Sequence, residues 1–570
     1  MQGGDKPRLL FDSVLLGVIG ALGAQIFMWM LRLSQYCFLT WIAGYRPPGL
    51  PEEGGVLRGV IGPHGLWLVP VATTLGGLIS GALVYGLAPE TEGHGTDTVV
   101  KAVHYTGSVL RARVAPVKML ASAITIGSGG SAGREGPIAL IAAGFGSVYA
   151  SLLHRPERER RLLVLMGMAG GLSAIFRSPI GTAIFAVEVL YGGMDFEADA
   201  LIYCMLAAIV AYAVNGWFVG WRSLFQVPAR VSATGLADYG WYVALGIASG
   251  VVATILPEVF YRIRDAFVAL RVPAWIKPAI GGLGLGLLAL RLPQVLGGGY
   301  GWIQEAIDGR LALHLLLVLL VAKIVALSLT VSSGGSGGVF APSLYVGAML
   351  GGAFAGIFHH DSAGLVIVGM AAVFGGAARV PIATLLMVAE MTGGYQLLVP
   401  AGLAVMLSYL IQINLSSLCK YGSLYEAQVA GRADSPAHRA ENVRIAVRLL
   451  EQGKVSLPPQ MNHLHLAALL QSGVALDLPD GSQLMTGTLR PESPWAGKQI
   501  QSRVLSGRAA DAKIVAIVRG KSVLLARPDT LLQPGDRLLL IASQEAQDEL
   551  QKHLARASAP IPQTTAATTP

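Results

Sequence analysis

The chain has 570 residues, 53% of them hydrophobic and 13% charged, with 72 glycines, a formal charge of +8 and a mean hydropathy of +0.57. So little charge over so long a chain excludes a disordered or ordinary cytosolic protein. Glycine without a triplet period excludes collagen and suits close helix contacts in lipid. Cys37, Cys204 and Cys419 have no metal-ligand spacing, so neither a disulfide framework nor a metal site is expected. In such a chain the positive excess marks cytoplasmic loops rather than a nucleic-acid surface.

Charge divides the chain. Residues 1–433 hold 27 Lys and Arg and 22 Asp and Glu, whereas residues 434–570 hold 15 and 12. The first part reads as a membrane domain, the second as soluble. After a short polar start, apolar sequence from Leu9 to beyond Met30 predicts a first membrane helix rather than a cleaved signal peptide. Further apolar stretches lie near 66–88, 110–127, 137–153, 162–191, 200–220, 238–256, 275–292, 311–331, 342–358, 364–391 and 396–416. Several are shorter than the ~20 residues of a clean span or are broken by Gly or Pro, as in transporters whose helices end within the membrane. The basic loop His154–Arg161 is expected on the cytoplasmic side, with both termini.

Two segments repeat. Ser128–Pro137 matches Ser333–Pro342 at six of ten positions, offset by 205. Gly167–Glu188 matches Gly369–Glu390 at eight of 22, offset by 202, including Arg-x-Pro-Ile-x-Thr in both. Two ungapped matches at nearly one offset indicate an internal duplication.

Each Gly-rich string ends in Pro before an apolar run, so helices are expected to begin near Arg134–Pro137 and Val339–Pro342. The glycines permit unusual backbone angles and close approach. Free N–H groups at a helix start need a partner in lipid, and an anion can be that partner. Two such starts, one per half, would make an anion site without a full positive charge. Alternatively, the strings are tight packing turns. Where the second string has Phe340, the first has Glu135. A carboxylate inside a membrane is a functional hypothesis by default. Bound, Glu135 would block the anion; protonated or swung away, it would open. The alternative is a Glu that stabilises its own helix.

Gly133-Arg-Glu-Gly-Pro137 and Gly338-Val-Phe-Ala-Pro342, with Arg177-Ser-Pro179, Phe185-Ala-Val-Glu-Val189 and Gly422-Ser-Leu-Tyr425, resemble the CLC family of chloride channels and chloride/proton antiporters. The resemblance implies an all-α membrane domain, an inverted repeat of broken, tilted helices, usually a homodimer with one pore per subunit. It makes Glu135 the gate and assigns chloride contacts to the Gly338–Phe340 start, through the N–H groups of Val339 and Phe340, and to the Tyr425 hydroxyl. The family's first anion loop usually reads Gly-Ser-Gly-Ile-Pro; here it is Gly93-His-Gly-Thr-Asp97. His94 stands at the serine position and Gly95 follows. The imidazole is able to donate to an anion, or it points away and backbone N–H groups act instead. Antiporters of the family commonly carry a proton-relaying glutamate after the position of Glu188; here Val189 cannot carry a proton. The expectation is a chloride-selective channel, with a chloride/proton antiporter as the alternative and a ligand-binding membrane sensor as the reading from another class. No enzyme chemistry is indicated.

Residues 434–477 are expected as a helical linker, with a helix over Asp434–Gly453. Strands are expected after Asp477, including Lys513–Arg519, Ser522–Ala526 and Arg537–Ala542, with a hairpin turn at Gly520-Lys521. A closing helix is expected over Gln544–Ala555 and a disordered tail over 557–570. Residues 478–556 resemble the RCK C-terminal (TrkA-C) domain, a small α+β cytoplasmic regulatory unit. That resemblance implies dimerisation and, in some members, small ligands including cyclic dinucleotides. Arg490, Arg519 and Lys521 are the candidate ligand residues, equally readable as a solvated basic face. No Walker or dinucleotide-binding loop is present.

Overall fold

The computed structural model describes residues 5–53, 55–228, 236–438, 476–477, 482–500, 512–519, 522–525, 530–543, 550 and 554–555. The chain forms two compact units, Met1–Arg432 and Ala433–Pro570.

The first unit is helical. Its first half contains α1 (Asp5–Gln35), α2 (Val69–Leu87), α3 (Thr96–Tyr105), α4 (Val114–Gly127), α5 (Glu135–Leu152), α6 (Glu157–Phe176), α7 (Pro179–Glu188) and α8 (Ala198–Val219). The second contains α9 (Leu236–Ala269), α10 (Lys277–Ala289), α11 (Tyr300–Ile307), α12 (Leu313–Val331), α13 (Phe340–Phe358), α14 (Ser362–Ala377), α15 (Pro381–Thr392) and α16 (Leu398–Ser416). The halves correspond helix for helix. Eight helical segments among the described residues are long and apolar enough to cross a membrane; others, such as α7 and α15, are too short. Two short strands, β1 (Tyr45–Arg46) and β2 (Val60–Ile61), pair antiparallel in the loop after α1.

The apolar stretches 162–191 and 364–391, each expected as one run, are two helices apiece. The first breaks at Arg177 and the second at Arg379, both left-handed with φ of 55° and 56°. The cause is the repeated Arg-x-Pro: proline disfavours a helical residue before it and starts a new helix itself. α3 and α11 were not anticipated.

Each short helix ends in a carboxylate that caps its counterpart. Glu188, at the end of α7, accepts N–H bonds from Ile382 and Ala383 at 3.1 and 2.7 Å, at the start of α15. Glu390, at the end of α15, accepts from Ile180 and Gly181 at 3.1 and 2.9 Å, at the start of α7, and from the Ser178 hydroxyl. Start therefore meets end both ways, so the equivalent helices run antiparallel and the repeat is inverted. Both carboxylates are buried, and each satisfies donors at a helix start that lipid would leave unpaired.

In the second unit β3 (Leu476–Asp477), β4 (Ser482–Leu489), β5 (Lys513–Arg519), β6 (Ser522–Leu525), β7 (Arg537–Ser543) and β8 (Leu554–Ala555) form an antiparallel sheet in the order β3-β4-β7-β5-β6, with β8 also on β4. Leu489, Trp495, Ile517, Leu538, Leu540 and Leu554 are among its core residues. The expected strands 513–519, 522–526 and 537–542 form, the second over its described residues Ser522–Leu525. Two expectations are corrected. Leu476–Asp477, placed in the linker, pairs with β4 as a strand. Leu554–Ala555, placed in a closing helix, is a strand because its backbone pairs with Thr488–Leu489. Most of the expected linker helix from residue 439 onward, the Gly520-Lys521 turn, most of 544–553 and the tail 557–570 lie outside the described residues.

Candidate functional site

Both repeated strings lead into helices, α5 from Glu135 and α13 from Phe340, where the prolines place them. The strings meet at their equivalent glycines: Gly133 and Gly338 exchange both backbone hydrogen bonds, at 2.7 and 2.6 Å. This contact has no room for side chains. A Cβ on Gly136 would come within 2.0 Å of the His94 carbonyl oxygen, and one on Gly338 within 2.8 Å of the Gly136 nitrogen. Glycine is therefore required where the starts of α5 and α13 converge.

A narrow cleft forms at that point, lined by Thr96, Glu135, Gly136, Leu172, Phe185, Val339, Phe340 and Tyr425. The Tyr425 ring packs against Phe185 and His94 at centroid distances of 6.5 and 5.4 Å, and its hydroxyl meets that of Thr96. Phe340 is held among Phe176, Phe374 and Phe185.

Glu135 is buried, 1% exposed. Its carboxyl faces the N–H of Ala341 in the first turn of α13. Oε1 accepts from the Tyr300 hydroxyl, whereas Oε2 has no hydrogen-bond partner. This carboxylate thus stands where an anion would be drawn by the starts of two helices. In Glu188 and Glu390, by contrast, both carboxylate oxygens accept backbone hydrogen bonds.

Val339, Phe340 and Tyr425 come together with Glu135 as the sequence analysis expected, and Gly338 lies just behind them. His94 is buried, but its ring packs tilted against Tyr425 and its Nδ1 faces the Asp97 N–H at 3.5 Å. Thr96, two residues on, takes the place at the cleft that was expected for His94. Gly95, at φ 85°, turns the chain into α3. Val189 is buried at the end of α7 and its carbonyl accepts from Gln428 Nε2 at 3.1 Å.

Sequence reasoning missed Thr96, Tyr300 and two buried lysines. Lys118 Nζ donates to the carbonyls of Thr91 and Gly93 at 3.0 and 2.7 Å. Its repeat counterpart Lys323 donates to Val295 and Gly297 at 2.8 and 2.7 Å. Each fixes the glycine loop before α3 or α11. The available signal was a lone lysine in each of two apolar helices at the repeat offset of 205.

A cavity of about 550 Å³ opens on the Tyr300 side of the cleft, lined by Arg32, Arg46, Glu53, Arg134 and Tyr300 among others. Another of about 550 Å³ opens on the Tyr425 side, lined by Arg379, Lys420, Glu426 and Gln428 among others.

In the second unit Arg490 is exposed. Arg519 is committed to buried Asp536 through Nε and Nη2, at 2.8 and 2.9 Å, and to the Leu531 carbonyl. That carboxylate raises the guanidinium's pKa further. Lys521 lies outside the described residues.

Two helix starts converging on a buried carboxylate, with a cavity on either side, define an anion-translocating membrane protein. The model of the voltage gated chloride channel family matches residues 76–412, and that of the TrkA-C domain matches residues 485–555. The chain belongs to the CLC family of chloride channels and chloride/proton exchangers and carries a C-terminal TrkA-C domain. It is 30% identical over 415 residues to a putative chloride channel protein ClcB-like of Ralstonia nicotianae, covering 70% of this chain and 92% of the relative. It is 30% identical over 376 residues to the H(+)/Cl(-) exchange transporter ClcA of Cronobacter sakazakii, covering 64% and 79%. In fold it is similar to a CLC-type fluoride/proton antiporter (TM-score 0.63, 22% identity, 75% of this chain and 99% of that one). It is likewise similar to a slow cyanobacterial Cl-/H+ antiporter (TM-score 0.63, 20% identity, 74% and 96%).

Proposed function

We propose that the protein exchanges chloride for protons across the plasma (inner) membrane, with Glu135 as gate and proton acceptor. The observation that carries this reading is the Glu135 carboxyl facing the start of α13, in one cleft with Val339, Phe340 and Tyr425. An anion and this carboxylate would compete for the same helix dipole. Protonation removes the charge that holds the carboxyl there. Relatives named as exchangers and solved antiporters of the same fold favour this over the channel expected from the sequence.

The basic loop His154–Arg161 supports a cytoplasmic α5–α6 connection, and this reading puts both termini on the same side. Tyr425 then faces inward and Tyr300 outward. We take the functional unit as a homodimer in lipid. The C-terminal unit is its regulatory part, receiving a small anionic ligand such as a cyclic dinucleotide at a surface that includes Arg490.

The channel reading rests on Val189, which has no titratable group. Purified protein in liposomes, with chloride efflux and pH followed together, separates the two. Uphill proton movement driven by a chloride gradient supports exchange, and chloride flux with no stoichiometric proton movement overturns it. Glu135→Gln is expected to abolish proton movement and leave chloride flux. If it changes neither, Glu135 is not the gate. Since no proton rests on Val189 in the exchange reading, Val189→Ala leaves the coupling ratio unchanged.

A further inference from the structure

The Glu135 carboxyl is not held by backbone alone. The Tyr300 hydroxyl, at the first residue of α11, donates to Glu135 Oε1 across 165 residues of sequence. The Tyr300 ring is itself fixed from two sides. Phe225 packs on it at a centroid distance of 5.8 Å, and the Arg134 guanidinium lies over it at 4.8 Å. Arg134 is in turn clamped by both carboxylate oxygens of Glu53, in the loop between β1 and β2. The chain of contacts therefore runs from the loop through Glu53, Arg134 and Tyr300 to the gate.

We propose that Tyr300 is a positioning residue that latches the Glu135 carboxyl in its blocking position, and that the outer loop sets the latch through Arg134. This rests on the reading of Glu135 as gate. A phenol donates more strongly to a carboxylate than to a neutral carboxyl, so protonation of the gate and release of the latch are one event. The charged and titratable groups facing Glu135 are Arg134, whose Nε is 3.8 Å from Oε1, Tyr300 from α11, and Tyr425 across the cleft, with Glu53 behind Arg134. Among them Tyr300 is the one that donates directly to the carboxyl. The α11 start has no carboxylate in its first turn.

The test compares wild type, Tyr300→Phe, Glu135→Gln and the double variant in liposomes. Tyr300→Phe removes one oxygen and leaves the ring between Phe225 and Arg134. Loss of a hydrogen bond to a charged group predicts chloride turnover raised about tenfold or more at neutral outer pH. It also predicts that the outer pH of half-maximal flux rises by about one unit, because the proton no longer competes with the phenol. In the Glu135→Gln background the same substitution is expected to change turnover by less than about twofold, since the carboxylate it latches is gone. If Glu135→Gln differs from wild type but Tyr300→Phe does not, the latch is wrong and the gate stands. An equal effect of Tyr300→Phe in both backgrounds also overturns the latch. If Glu135→Gln behaves as wild type, gate and latch fall together. Fluorotyrosine placed at position 300 covers the case of a poorly folding Tyr300→Phe. It is a stronger donor, so it is expected to slow flux; unchanged or faster flux overturns the proposal.

Discussion

Lys118 and Ser336, one from each half of the repeat, donate to the same oxygen, the Thr91 carbonyl, each at 3.0 Å. The Gly93–Gly95 loop is thereby pinned between α4 and the second Gly-rich string. Lys118→Met replaces the ammonium with apolar volume and leaves each carbonyl one donor, Ser336 on Thr91 and the Gly337 N–H on Gly93, so no buried acceptor is orphaned. The expected outcome is a protein whose melting temperature is near wild type but whose chloride turnover falls several-fold, because Thr96 is no longer held at the cleft. Paired thermal denaturation and flux measurements check this.

Glu390 satisfies two backbone N–H groups at the start of α7 and one hydroxyl. Glu390→Ala leaves those donors orphaned and is expected to cost about 3 kcal/mol or more. Glu390→Gln keeps one carbonyl oxygen and is expected to cost roughly half as much. Denaturation of detergent-solubilised protein would show the order wild type, Gln, Ala, and Glu188 would give the same order.

Thr96, rather than His94, lines the cleft beside Tyr425. Thr96→Val keeps shape and removes the hydroxyl, so chloride affinity is expected to weaken about tenfold, the loss of one charge-assisted bond. His94→Gln, which keeps a polar side chain behind Tyr425, is expected to alter affinity less than threefold. Calorimetric chloride titration of both variants distinguishes the two positions.

Asp536 holds Arg519 and the Gln533 N–H. Asp536→Asn is expected to destabilise the C-terminal unit by about 1–3 kcal/mol, since one partner of a largely buried ion pair loses its charge. Faster limited proteolysis of that unit in the full chain, with the membrane unit resistant, would show it.

Much of this architecture was legible. The two offsets revealed the halves, and the prolines located the starts of α5 and α13 because a proline ring suits a helix's first turn. α3 and α11 were hidden because ten and eight residues of mixed polarity give no long apolar run. The splits at Arg177 and Arg379 lay within apolar stretches whose hydrophobicity outweighed the Arg-x-Pro signal. Thr96 takes the place expected of His94 because the order of residues in a loop does not disclose which side chain the left-handed Gly95 turns inward. Tyr300 was missed for a simpler reason: its bond to Glu135 joins distant segments that share no pattern.

The exchange of Glu135 for Phe340 at matching positions of the two strings has a directional consequence. The inverted halves would give a path that treats both faces alike, yet only one string carries an acid, and Tyr300 bonds it from one side. A vesicle population with mixed insertion should therefore answer acidification as two separate populations. Those with Tyr300 outward respond to the bath, and those with Tyr300 inward respond to the lumen.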